Sequence, residues 1–214
     1  VTKTSPHAAP AARTRLIEAL AAVLLTKPLG ELSVPDIARA ARVSNRTFYE
    51  HFGNKEACFV ALYAQNSARS FEVVAQALAS GTSLEPRIAA GVRAHLEMRQ
   101  EDALGVRLYV DIATLGEAGM NLRRRLVEEF AARLKSVLDT ERTRLGQGPI
   151  PWELVLATTF GINELVYYHM SAGRKQRLEK LAPTVTELIL LLMKSPAEAA
   201  PHLPHLPHAK RKGR

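Results

Sequence analysis

Asn45, Arg46 and Thr47 follow one another in a chain of 214 residues, and together they carry three groups suited to the edges of base pairs. A guanidinium can donate two parallel hydrogen bonds to N7 and O6 of guanine, a carboxamide matches adenine, and a threonine methyl can touch the methyl of thymine. Tyr49 and His51 suit phosphate oxygens, contacts that position a protein on a duplex without specifying its sequence; Tyr49 can instead pack as core. Glu50 would be repelled by phosphates, so it either accepts from cytosine N4 or faces solvent, the simpler reading. Ser33 and Ser44 bring hydroxyls to expected helix N-termini, where unpaired N–H groups attract phosphate. Arg13 and Lys3 of the N-terminal arm are further candidates for phosphate or the minor groove.

These side chains converge only if short helices hold them. Ser33 suits an N-cap, with Asp36 placed to complete a capping-box-like pair. Pro35 fits the first turn, where its missing N–H is not needed. Ile37, Ala40 and Ala41 then form one apolar stripe. Arg42-Val43 makes a brief break, and Ser44 caps a second short helix. There Phe48 and Phe52 share a face, while Arg46 with Glu50, and Thr47 with His51, point elsewhere. Gly53-Asn54 ends that helix and caps a third, starting at Lys55. Two short helices joined by a tight turn, the second polar outside and aromatic inside, make a helix-turn-helix.

The segment resembles the DNA-binding domain of the TetR family of bacterial transcriptional regulators. The resemblance begins near Thr14 with an amphipathic helix carrying Leu16, Ile17, Leu20, Ala21 and Leu24. It continues through Ile37-Ala38, Ala41, Val43-Ser44, Thr47, Phe48-Tyr49, His51-Phe52 and Lys55-Glu56-Ala57, about fifty residues in all. It implies an all-α, nine-helix architecture: a three-helix DNA-binding domain followed by a six-helix domain for effector binding and dimerisation. It also implies that Tyr49, His51 and Lys55 hold the DNA backbone, and that an effector acts by moving the helix that starts at Lys55. One position departs from the family pattern. Arg42 stands where the family usually has glycine, which suits a left-handed helix end. Either Arg42 bears strain or the turn differs.

Charge is distributed unevenly. Residues 1–55 carry eight Lys/Arg against four acids, residues 56–195 seventeen against sixteen, and the last nineteen four against one. The surplus lies in the helix-turn-helix and the tail, where a polyanion would meet it. The single cysteine, Cys58, excludes an intrachain disulfide and fits a reducing compartment. Its place on an apolar stripe marks a small core residue. No apolar run is long enough to span a bilayer and no leader-like segment opens the chain, so a cytoplasmic protein without membrane contact is expected.

Helical periodicity, punctuated by Gly and Pro, runs through the rest. Helices are expected over residues 11–26, 55–79, 84–99, 102–115, 121–145, 151–172 and 177–194, besides the helix-turn-helix pair. The expected organisation is an arm (1–10), a DNA-binding domain (11–54), an effector and dimer domain (55–195) and a Pro/His/basic tail (196–214). Polar residues interrupting apolar stripes could orient a small molecule: His95, Tyr109, Asp111, Thr159, Asn163 and Tyr167, with Met98 and Phe130 as apolar neighbours. Each can equally be a satisfied core residue. Phe160 and the stripe Leu178, Leu181, Val185, Leu188, Ile189 and Leu192 supply a self-complementary dimer face; ordinary core packing is the alternative.

Catalysis has no motif here: no Gly-rich phosphate loop, nucleophile elbow or helical His/Glu zinc pair. His202, His205 and His208 recur every third residue of a Pro-rich tail, which reads as soluble sequence more readily than as a metal site. No cofactor and no metal is expected. The expected protein is a homodimeric regulator binding a palindromic double-stranded DNA operator, a repressor released by a small, largely hydrophobic effector. A regulator governed by abundance or a protein partner is the alternative.

Overall fold

The computed structural model describes residues 8–79, 83–100, 102–171 and 178–196. Lys3, the tail histidines His202, His205 and His208, and the basic end Lys210–Lys212 lie outside the described residues.

Helix α1 (Ala8–Leu24) leads through a 3-10 turn (Leu29–Glu31) to α2 (Val34–Ala40) and α3 (Asn45–His51). The helix α4 (Lys55–Leu78) follows, then α5 (Leu84–Gln100), α6 (Ala103–Asp111), α7 (Gly116–Arg144), α8 (Trp152–Ser171) and α9 (Ala182–Leu191). All regular elements among the described residues are helical, as the apolar periodicity requires. None of these helices is long and apolar enough to cross a membrane.

Each short helix begins where a side chain takes over an orphan N–H group. Ser33 and Asp36 form a complete capping box, Ser44 Oγ accepts from Thr47 N–H, and Asn54 caps α4 by accepting from Ala57 N–H at 2.7 Å. The break after α2 is a Schellman turn: Val43 N–H donates to Ala38 O at 3.0 Å and Arg42 N–H to Arg39 O at 3.1 Å. Arg42 takes the left-handed position with φ 55°, the one non-glycine residue among those described with positive φ. The turn therefore keeps its ordinary form, and Arg42 bears the strain.

Two hydrophobic cores organise the helices. Leu16, Leu20 and Leu24 of α1 pack with Ile37, Phe48, Phe52, Phe59 and Leu62, and this core also takes in Leu108 of α6, Ile112 of the 3-10 turn after it and Leu122 of α7. Phe48 and Phe59 are fully buried, each contributing roughly 1.5–3 kcal/mol. The second core joins Ile88 and Leu96 of α5 to Leu134 and Leu138 of α7, Val155 and Val166 of α8, and Val185 and Ile189 of α9. Cys58 is buried beside Leu16 O, and burial pushes its thiol pKa up to about 12, as suits an unreactive core residue.

Two boundaries differ from expectation. Gly116, at φ 59°, closes the segment expected over residues 102–115, but α7 starts there rather than at residue 121 and holds Gly119 inside it. A Cβ on Gly119 would lie 2.1 Å from Ile112 O, so glycine there lets α7 close onto the 3-10 turn Ile112–Leu115. The final helix is also shorter than its periodicity implied. A 3-10 turn (Leu178–Leu181) precedes it, and Pro183 in the first turn sets its start.

Replacing Arg42 tests the strained turn. Arg42→Gly exchanges a left-handed cost of ~1–2 kcal/mol for added unfolded-state entropy of ~0.5–1 kcal/mol, and raises the unfolding free energy by ~0–1.5 kcal/mol. Arg42→Val lowers it by ~1 kcal/mol or more, because a branched side chain tolerates positive φ poorly. Urea titration of both variants reads the two signs.

Candidate functional site

Phe48 in α3 and Phe52 just after it turn inward and leave Asn45, Arg46 and Tyr49 on the outer surface. Tyr49 is 59% exposed, which settles against its packing as core. Glu50 does not simply face water. Arg46 Nε donates to Glu50 Oε1 at 3.3 Å, with side chains 90% and 56% exposed. A pair so exposed is weak, so Arg46 can give it up for a better acceptor at little cost. Thr47 is held by a 3.0 Å hydroxyl contact with Ser44, and His51 lies half-buried at the end of the helix. Arg13, on α1, stacks over the Phe52 ring at 5.2 Å.

Lys55 is differently employed from the phosphate contact expected of it. Its ammonium donates to Leu29 O at 2.9 Å, Leu32 O at 2.7 Å and Gly30 O at 3.4 Å. Those acceptors match its three N–H groups, so the charge caps the turn leading into α2. Asp111 meets the same turn from the later helices. Its buried carboxylate accepts from Leu29 N–H at 3.0 Å, and Arg107 Nε donates to Leu24 O at 3.1 Å. The expected effector contact at Asp111 is thus a strap between α6 and the turn that leads into α2.

A cavity of about 440 Å³ lies among α4, α5, α7, α8 and α9, within the range of small-molecule sites. His95, Phe130, Thr159 and Asn163 line it as the stripes implied. Met98, Tyr109, Asp111 and Tyr167 do not. Met98 packs beside Ser70, whose hydroxyl lies 3.9 Å from its sulfur. Tyr109 and Tyr167 stack on each other at 3.7 Å, closing a contact between α6 and α8. The aromatic rings of Phe71 and Phe130 meet at 5.3 Å on the cavity wall.

Four arginines that sequence reasoning passed over also line the cavity: Arg87, Arg99, Arg123 and Arg133. Their signal was register. Arg99 continues the stripe Ile88, Val92 and His95, and Arg123 continues Leu126, Phe130, Leu134 and Val137, so each is a charge on an otherwise apolar helix face. His95 lines the wall with its Nδ1 buried and unpartnered. Burial first, and the Arg99 charge second, lower its pKa from 6.5 to about 3.

The expected dimer stripe is largely spent within the chain. Leu178, Val185, Ile189 and Leu192 are buried in the second core, and Leu181 packs against it. The short α9 turns that stripe onto α5 and leaves Leu188 and Leu191 outward. On α8, Phe160 is half-buried, while Leu154, Gly161 and Tyr168 share an exposed face. A Cβ on Gly161 would meet no atom within 4 Å, so nothing in the chain's own packing explains this glycine.

Residues 16–62 match the sequence model of bacterial regulatory proteins of the tetR family. No match was found among curated protein sequences. The fold is shared with several solved structures. The fatty acid degradation regulator FadR from Bacillus halodurans superposes with a TM-score of 0.71 at 19% identity, over 88% of this chain and 97% of that one. FadR from Bacillus subtilis in complex with stearoyl-CoA gives 0.71 at 20% identity, over 82% and 96%. A TetR-family regulator from Mesorhizobium loti gives 0.71 at 16% identity, over 87% and 96%. Residues 16–62 therefore carry the sequence pattern of bacterial regulatory proteins of the tetR family, and the chain shares the fold of these solved regulators.

His95 gives the cavity a pH signature. Folding holds it neutral while the unfolded chain takes up a proton near 6.5, so stability falls as pH drops from 6.5 toward about 3. His95→Gln removes this contribution. The difference between the two proteins' unfolding free energies, measured between pH 7 and pH 5, shrinks or changes sign in the variant's favour as pH falls; a constant difference would place His95 in contact with solvent.

Proposed function

We propose that the protein is a dimeric, sequence-specific transcriptional repressor, released from DNA by a small, largely apolar effector bound in the cavity. One observation carries this reading: α4 is shared. It starts at the Asn54 cap, with Lys55 gripping the turn before α2, and it continues into the cavity wall through Phe71, Val74 and Leu78. A molecule that fits the cavity better in one setting of α4 shifts the reading head by its difference in affinity for the two settings. That the similarly folded Bacillus subtilis FadR was solved in complex with stearoyl-CoA, a ligand with a long apolar chain, supports this reading.

In this reading residues 11–54 form the reading head and residues 55–195 the effector and dimer unit. Arg46 reads a base, with Asn45 and Thr47 beside it. Tyr49, His51, Ser33 and Ser44 contact the backbone. Two heads on a palindromic operator require a dimer, with half-sites spaced by about one helical turn or a multiple. The exposed face of α8 and α9, with Leu154, Gly161, Tyr168, Leu188 and Leu191, is the surface that would pair. The protein works by binding, in the cytoplasm where the DNA is.

Selection of bound DNA from a random pool tests the reading directly, with a palindromic site as the expected product. On that site Arg46→Ala relaxes preference at one base pair by ~1–3 kcal/mol, while Tyr49→Phe weakens all sequences alike. Recovery of no shared sequence would defeat the proposal.

Gly161 tests the dimer independently. In a monomer, Gly161→Ala simply raises helix stability by ~1 kcal/mol. Where a partner helix lies against it, Gly161→Trp yields monomers in sedimentation experiments and loses palindrome binding.

A further inference from the structure

The cavity is long and its two ends differ. Its lining residues on α4 run from Tyr63 to Ala79, sixteen steps or about 24 Å at helical rise. The end next to the reading head carries Tyr63, Ser67, Ser70, Arg99, Arg123 and Asn163. The far end is mostly apolar, with Leu78, Ile88, Val92, Leu134, Val137 and Ile189, and its one charge, Arg87, is turned onto Leu78 O. Four arginines and no Asp or Glu line the wall.

The four arginines are not equivalent. Arg87 Nε donates to Leu78 O at the end of α4, and the exposed Arg133 covers the Phe71 ring at 4.7 Å. Arg99 is met by Asp102 at 2.6 Å and Ser70 Oγ at 3.0 Å. Arg123 is different. Its side chain is 15% exposed, its Nε is buried without an acceptor, and its carboxylate partner Glu164 is 54% exposed. The guanidinium has lost its water, whereas Glu164 can regain full hydration on leaving. A carboxylate arriving from inside the cavity can take Glu164's place on Arg123 and on the Tyr109 hydroxyl that Glu164 also accepts from, and a small rotation of the guanidinium gives it Nε as well, a donor that Glu164 leaves unpaired.

Resting on the effector reading above, we propose that the ligand is a long-chain monocarboxylate, its apolar tail toward Ile88 and Val137 and its carboxylate on Arg123 in place of Glu164. The length excludes a compact aromatic ring as the natural fit, and the wall's charge excludes a cationic amphiphile. Arg123 also donates to the Tyr109 hydroxyl, and Tyr109 stacks on Tyr167. The exchange is consequently felt by α6, whose Asp111 straps the reading head, and by α8, whose outer face would pair in the dimer.

The test measures binding of hexadecanoate, hexadecanol and hexadecanoyl-CoA to the full chain, below their aggregation limits. The acid binds roughly tenfold or more tightly than the alcohol. Arg123→Gln removes that advantage and leaves alcohol binding intact, which also shows that the variant folds. Glu164→Gln tightens the acid, a gain that misfolding cannot produce. The proposal is overturned if the alcohol or the thioester binds as well as the acid, or if Glu164→Gln leaves acid affinity unchanged. Acid binding by a protein that selects no DNA sequence would defeat the regulator reading and keep this assignment; a selected operator without acid binding would do the reverse.

Discussion

Leu29 is gripped through both polar groups of its backbone: Asp111 accepts from its N–H and Lys55 donates to its carbonyl. Both partners carry full charges, and hydrogen bonds to charged groups are worth more than neutral ones. The turn from Leu29 to Leu32 feeds α2, so α2 and α3 are set by whatever holds that turn. Lys55 begins α4 and Asp111 ends α6. The helix-turn-helix is thereby fastened to α4 and α6, which reach into the rest of the chain. Arg107, donating to Leu24 O, adds a third tie at the end of α1.

This joint explains why the two cores are not independent. Leu108, Ile112 and Leu122 belong to the first core although they follow α5 in sequence, and Gly119 lets α7 approach closely enough for Leu122 to reach it. The polar end of the cavity lies one helix turn beyond, where Tyr63 packs against the first core and lines the cavity as well. A rearrangement at that end has little packed material to cross before it meets Leu29. Close-packed interfaces pass on such shifts as discrete changes, because they do not deform continuously.

The helix-turn-helix was legible almost residue by residue. Its determinants are local: Ser33, Ser44 and Asn54 each cap a helix three residues away, and Phe48 and Phe52 lie one turn apart. Arg42 shows the same locality. Its departure from glycine marked the strained position, and the Schellman turn around it held. Errors began where side chains chose partners far along the chain. Lys55 reads as a surface cation until the turn some two dozen residues earlier folds back onto it. Asp111 reads as a ligand contact until Leu29 arrives. Tyr109 and Tyr167 interrupt apolar stripes as a pocket residue would, yet their rings stack on each other and the Tyr109 hydroxyl is taken up by Arg123 and Glu164. Leu178, Val185, Ile189 and Leu192 had a dimer-like spacing that an ordinary core uses equally well.

By itself the sequence determined the all-helical class, the helix-turn-helix and the outward pair Asn45 and Arg46, because caps and apolar periodicity act within one or two turns; that Tyr49 also faces outward was decided by the structure. Only the tertiary structure decided which stripe faces the chain's own core, which charges fasten the two parts together, and that Arg99 and Arg123 border one cavity. Periodicity states that a helix face is buried but not against what; that choice is made by packing among α4, α5, α7, α8 and α9, whose contacts join residues distant in the chain.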